Sequence, residues 1–170
     1  MIDYLPAGFK FLPAINSDWT QISGGNITAL IPGPLQTNQS DTIPLKVEFV
    51  ATNGGTADWV NVAEITAFED EFGNDRSDFD EDSQPDDDPN NDRGGNPGSA
   101  ADDALNGNGT GTIGGSSAST DEDDADPFRV NVFDLALIKR LVTSPPYSYG
   151  QLLEFEITVS NQGNLTANSY

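Results

Sequence analysis

Residues 42–68, TIPLKVEFVATNGGTADWVNVAEITAF, decide the fold class. In the first half Leu45, Val47 and Phe49 alternate with Lys46 and Glu48, the two-residue period of a strand with one buried face. Asn53-Gly54-Gly55 signals a reversal, and ADWVNVAEITAF beyond it is again β-rich, so the stretch reads as two strands joined in a hairpin. Working back toward residue 1, the same texture repeats. IDYL (2–5), GFKFLPAI (8–15), DWTQI (18–22) and ITALI (27–31) are short β-rich runs. They are punctuated by Pro6, by Ser23-Gly24-Gly25-Asn26 and by Pro32-Gly33-Pro34, at the spacing of a sandwich. Toward the other end, VNVFDLALIKRLV (130–142) is one apolar run broken by Ser144-Pro145-Pro146. LLEFEITVSN (152–161) then sets Leu153, Phe155, Ile157 and Val159 against Glu154, Glu156 and Thr158. No helical period of any length appears, and the expected class is all-β.

Between these β regions the composition changes abruptly. Residues 69–126 hold 19 of the chain's 28 acidic residues against two bases, Arg76 and Arg93, and have few apolar side chains besides Phe72, Phe79, Leu105 and Ile113. Such a segment cannot by itself bury enough apolar surface to offset the entropy of ordering it. Two carboxylates 6 Å apart in water repel by roughly 0.7 kcal/mol, with screening beyond about 8 Å, and a compact loop multiplies that repulsion. A hard divalent cation removes it. Calcium takes oxygen ligands in flexible geometry, and the strings FDEDSQPDDDPNND (79–92) and TDEDDADP (120–127) offer little but oxygens. The expected ligands are Asp70, Asp75, Asp78, Asp80, Asp82, Asp86, Asp88, Asp92, Asp121, Asp123, Asp124 and Asp126. At extracellular affinities and millimolar calcium, each site would contribute on the order of 1 to 2 kcal/mol. The pattern is not an EF-hand: counted from Asp78, the obligatory Gly and Glu positions hold Ser83 and Pro89. A solvated acidic linker is the competing reading. Ser99 and Asp102 have capping-box spacing, so one or two helical turns are expected over 99–106, followed by a Gly/Ser/Thr/Asn loop over 106–119.

Charge and composition narrow the function classes. A formal charge of −21 and a pI near 4.1 argue against nucleic acid and anionic membranes as partners. No run approaches the roughly 20 apolar residues of a membrane helix. The absence of Cys excludes disulfides, and the absence of His excludes the usual triads and most zinc sites.

Written with its end before its beginning, NLTANSY-MIDYLPAGFKF reads as strand, turn and strand. Residues 133–170 followed by 1–68 then have the size of one immunoglobulin-like sandwich. In this rotated order the chain resembles the immunoglobulin-like conserved repeat domain found in tandem in very large bacterial cell-surface proteins. The resemblance rests on FDLALIKRL (133–141), FEITVSNQGNLTA (155–167), DYLPAGF (3–9), VNVAEITA (60–67) and the two aspartate-rich strings. It implies three segments: 1–68 as the C-terminal part of one sandwich, 69–127 as an acidic connector, and 128–170 as the first strands of the next. Two arrangements fit: a tandem array, or separate subunits completing one another's sandwiches as in donor-strand fibres. An unpaired sheet edge would otherwise be an aggregation hazard, so the isolated 170-residue chain is expected to fold poorly.

The function that follows is structural: a repeat or protomer of an extracellular bacterial filament or adhesin stalk, rigidified by calcium, whose partners are neighbouring copies of itself. A glycan-binding adhesion module is the alternative, with Trp19, Trp59, Tyr4, Tyr147 or Tyr149 stacking on sugar, against the simpler reading of each as packing. An enzyme using paired carboxylates has no support beyond chance pairs. Sequons begin at Asn26, Asn38, Asn108 and Asn164. Asp41-Thr42-Ile43 looks like an O-glycosylation triplet of some bacterial surface proteins, and all are short enough to arise by chance.

Overall fold

The structure, a computed structural model, describes residues 1–52, 55–79, 85–88 and 125–168. These form two units, Met1–Val130 and Asn131–Tyr170. Both are built from antiparallel strands, and among the described residues the only helical turns are of the 3₁₀ type. The expected helical turns over 99–106 lie outside the described residues, as does the loop over 106–119.

The first unit contains β1 (Ile2–Tyr4), β2 (Phe9–Phe11), β3 (Trp19–Gln21), β4 (Ile27–Ala29), β5 (Val47–Phe49), β6 (Val60–Glu64) and β7 (Ala125–Arg129). Five of them form a sheet in the order β3-β4-β1-β6-β7, and β2 and β5 form a second, two-stranded sheet. Each β-rich run read from the sequence yields a strand, but a short one, because proline and glycine cut the runs at both ends. Strand β7 was not expected to begin where it does. Two acidic-stretch residues, Ala125 and Asp126, together with Pro127, pair with Glu64, Ala63 and Val62. Proline is tolerated there because β7 is an edge strand.

The expected hairpin between residues 42–50 and 57–68 does not form. Strand β5 pairs with β2, and β6 lies in the other sheet between β1 and β7. The reason is Trp59. A 3₁₀ turn at Thr56–Trp59 carries the chain from one sheet to the other and buries that indole to 3% exposure, a larger gain than one more pair of ladder bonds. Gly8 makes room for it. The Gly8 N–H donates to the Asp58 carbonyl at 2.9 Å, and a Cβ at residue 8 would lie 2.3 Å from that oxygen and 2.5 Å from the Trp59 ring.

The core of this unit is small. Phe11, Trp19, Ile27 and Ala29 are buried together, with Met1, Leu5, Ile43 and Leu45 packed against them. The Trp19 indole N–H donates to the Pro44 carbonyl at 3.1 Å, tying β3 to the segment that crosses the sheet. Buried Asn16 does similar work with a side chain in place of a strand. It donates to the Leu12 and Lys46 carbonyls and accepts from the Lys46 N–H, all at 2.8 Å.

The second unit is one long ribbon, β8 (Leu135–Leu141) paired along its whole length with β9 (Phe155–Asn161). Below the ribbon, the Val132 N–H donates to Asn164 Oδ1 at 2.7 Å and the Val132 carbonyl accepts from the Asn164 and Leu165 N–H groups. The sequence-expected turn at 161–164 is thereby fixed against the start of β8.

Gly8→Ala is expected to destabilise the first unit by roughly 1 to 3 kcal/mol, because backbone and a buried indole must shift to admit the methyl. Gly55→Ala, where a Cβ meets nothing within 4 Å, should be close to neutral. Urea unfolding followed by tryptophan fluorescence reads this directly, since both tryptophans lie in that unit.

Candidate functional site

Three features of the described residues carry chemistry: the start of the acidic stretch, the two faces of the five-stranded sheet, and the ribbon.

The acidic stretch begins with a closed loop organised by one carboxylate. Asp70 Oδ1 accepts the Phe72 and Asn74 N–H groups at 3.0 Å, and both its oxygens take the Asn74 side-chain amide at 3.0 Å. Arg76 adds Nε and NH2 contacts to Oδ2 at 2.9 Å. These bonds, Asn74 first, hold the Asp70 carboxyl well below the usual carboxylate range. Gly73 takes the left-handed conformation that the turn needs, at φ 77°. Arg76 also lies 5.3 Å from the centre of the Phe79 ring. Asp75 accepts from the Ser77 N–H at 2.9 Å and hydroxyl at 2.7 Å, which likewise lowers its pKa. Asp70 and Asp75 thus each already accept hydrogen bonds from protein donors.

Of the other expected calcium ligands, four lie among the described residues. Asp78 is exposed, Asp86 accepts the Asp88 N–H at 2.6 Å, and Asp126 sits in β7. Asp80, Asp82, Asp92, Asp121, Asp123 and Asp124 lie outside the described residues. Among the described residues, no group of three or more carboxylates is gathered so as to hold a metal ion.

The sheet contains acids that sequence reading missed. On the side facing the core, Asp3 lies directly between Ile27 of β4 and Ala63 of β6, and Ala63 is followed by Asp126 of β7. Asp3 is only 3% exposed. Its Oδ2 accepts the Asn61 amide at 2.8 Å, and its Oδ1 has no hydrogen-bond partner among the described residues. Burial pushes its carboxyl up to about 6, against the lowering effect of Asn61. On the opposite side, Glu64 is 1% exposed and accepts the Tyr4 hydroxyl. Burial, then that bond and the charge of Glu64, then Asp87 and Asp86, raise the Tyr4 pKa. One signal was available: Met1, Asp3 and Leu5 share a face by the period of two, so Asp3 stands where an apolar residue belongs.

Coverage of the core-facing side is uneven. Over β3, β4 and β1 lie the core residues, whereas over β6 and β7 Asn61 and Ala63 are half-buried, Asp126 is exposed and Phe128 is 63% exposed.

The ribbon has two unlike faces. Leu135, Leu137, Lys139 and Leu141 stand opposite Asn161, Val159, Ile157 and Phe155, and the other face pairs Ala136, Ile138 and Arg140 with Ser160, Thr158 and Glu156. Arg140 and Glu156 form an ion pair at 2.8 Å on that second face. The first face is largely apolar, yet Leu137, Phe155 and Ile157 each leave about half or more of their surface exposed.

Of the aromatic residues considered for sugar stacking, Trp19 and Trp59 are buried and Tyr4 is bonded to Glu64, leaving Tyr147 and Tyr149 exposed. Among the described residues no helix is long and apolar enough to cross a membrane. No protein-family model, curated protein or solved structure matches the chain.

Asp3 carries a pH dependence whose sign is fixed by its burial. Its folded pKa near 6 exceeds the ordinary 3.8, so its favourable contribution is complete below about pH 4 and lost as pH rises through 6. Asp3→Asn should therefore match the parent at pH 4 and exceed it in stability by at most about 3 kcal/mol at pH 7 to 8. Urea midpoints measured at both pH values check this.

Proposed function

We propose that this chain is a structural repeat or subunit of an extracellular bacterial filament or adhesin stalk, in which immunoglobulin-like β-sandwiches are joined end to end and stiffened by calcium. The observation that carries the reading is the apolar face of the β8–β9 ribbon, which stays exposed along its length. A two-stranded ribbon is marginal in water by itself and gains stability by packing its apolar face against a further layer. The first unit supports the same reading from the other side. Among the described residues its five-stranded sheet faces a sheet of two strands, fewer than a complete sandwich has. A linear assembly lets each unit complete the next.

The acidic stretch would be the joint. Nineteen acids within residues 69–126 supply the oxygen donors that calcium prefers, and Asp70 and Asp75, already engaged by Asn74, Arg76 and Ser77, would frame the joint without binding the ion. The ligands would come from the aspartates further along. Calcium would supply the positive charge that lets those carboxylates approach one another.

Removing calcium with a chelator is expected to lower the melting temperature by roughly 2 to 8 °C for each site of about 1 to 2 kcal/mol. It should also shorten any filaments seen by electron microscopy. Asp70→Asn should leave the calcium response intact, whereas neutralising Asp86 and Asp88 together should reduce it. A melting temperature and filament length indifferent to calcium would remove the ion from the proposal.

A further inference from the structure

We propose that the apolar face of the β8–β9 ribbon of one copy covers the β6–β7 end of the five-stranded sheet of a second copy, with Lys139 set against Asp3 and Asp126. This rests on the filament reading and names its joint. The first support is the count of layers. The two-stranded sheet side contributes Phe11, Leu45 and Ile43 over β3 and β4, whereas on that same side of β6 and β7 Asn61 and Ala63 are only half-buried and Asp126 and Phe128 are exposed. The ribbon supplies two strands of seven residues each.

Polarity is the second support. Leu137, Leu141, Leu153, Phe155, Ile157 and Val159 are between 36% and 63% exposed. For large side chains that amounts to an apolar area on the order of 500 Å², approaching the roughly 800 Å² each partner buries in a stable interface. On the sheet, Phe128 and Ala63 would meet it.

Charge fixes the register. Lys139 is the one charged residue among the paired positions of the ribbon's apolar face, its Nζ lying 4.4 Å from the centre of the Phe155 ring. The receiving sheet has acids at the corresponding place: Asp3, whose Oδ1 is buried with no hydrogen-bond partner among the described residues, and Asp126 across Ala63 from it. A carboxylate buried in that way gains from a cation brought to it. Two ribbons packed face to face would instead bring two copies of Lys139 together, a like-charge contact that disfavours the alternative.

The chain has no cysteine, so introduced thiols report contacts without background. Full-length Ala63→Cys and Leu137→Cys chains, mixed in millimolar calcium under mild oxidation, are expected to give a crosslinked heterodimer. It should form at least tenfold faster than with Ala136→Cys, which lies on the ribbon's polar face. Should Ala63→Cys not fold, Phe128→Cys beside it takes its place. Lys139→Glu should weaken assembly at least tenfold, and Asp126→Lys in the same chain should restore it. Equal crosslinking from Ala136→Cys, or Leu137→Cys homodimers in place of heterodimers, would overturn the joint. If the unmodified chain assembles without the expected crosslink, the joint is wrong and the filament reading stands. If the unmodified chain stays monomeric at all concentrations and calcium levels, both fall.

Discussion

A β-ribbon with one apolar face cannot rest in water. Its backbone is satisfied by its own ladder, but Leu137, Phe155 and Ile157 remain exposed, and covering such a side chain is worth about 1.5 to 3 kcal/mol. Among the described residues the first unit sets a five-stranded sheet beside a two-stranded one, with a core of few buried residues. A two-stranded ribbon is marginal in water by itself, and in the proposed row each unit would supply what the other lacks.

Electrostatics opposes any such row. A chain of charge −21 repels its neighbours, most strongly where 19 acids crowd into residues 69–126. One answer to that repulsion is visible in the structure, and the proposed calcium would be a second. The first is local and already made: Arg76 and a set of backbone and side-chain donors neutralise Asp70, and Ser77 serves Asp75. The second would serve the remaining aspartates. Asp3 adds a different kind of constraint, since an acid is held inside the sheet where burial disfavours its charge. Such positions are seldom tolerated unless a proton, a hydrogen bond or a cation comes to them.

The all-β class was legible because the alternation in residues 152–161 and the turn residues between short runs have a direct backbone meaning. Leu153, Phe155, Ile157 and Val159 alternate as the pattern requires, and their strand pairs over seven residues. Strand partners were less legible. The Asn53-Gly54-Gly55 signal suggested a hairpin, yet burial of Trp59, admitted by the bare backbone of Gly8, sends β6 to the other sheet. Local turn chemistry does not encode that long-range contact. Strand β7 was hidden for a related reason: Asp126 and Pro127 look like connector until β6 offers them a partner. At the acidic stretch, counting charges identified donors for a metal but not the side chains that reach them first. Asp70, Gly73, Asn74 and Arg76 form a turn motif that composition alone does not show. Asp3 was overlooked because a single acid in a short β-run looks like a surface residue until its neighbours on the same face are counted.

The central claim is that a second copy covers the ribbon, and backbone amide exchange across residues 135–161 tests it most directly. With calcium held constant, the account requires exchange in β8 and β9 to slow as protein concentration rises and filaments form, while β4, already inside the first unit, stays unchanged. Exchange in the ribbon that is the same in dilute monomer and in concentrated or filamentous material would contradict it.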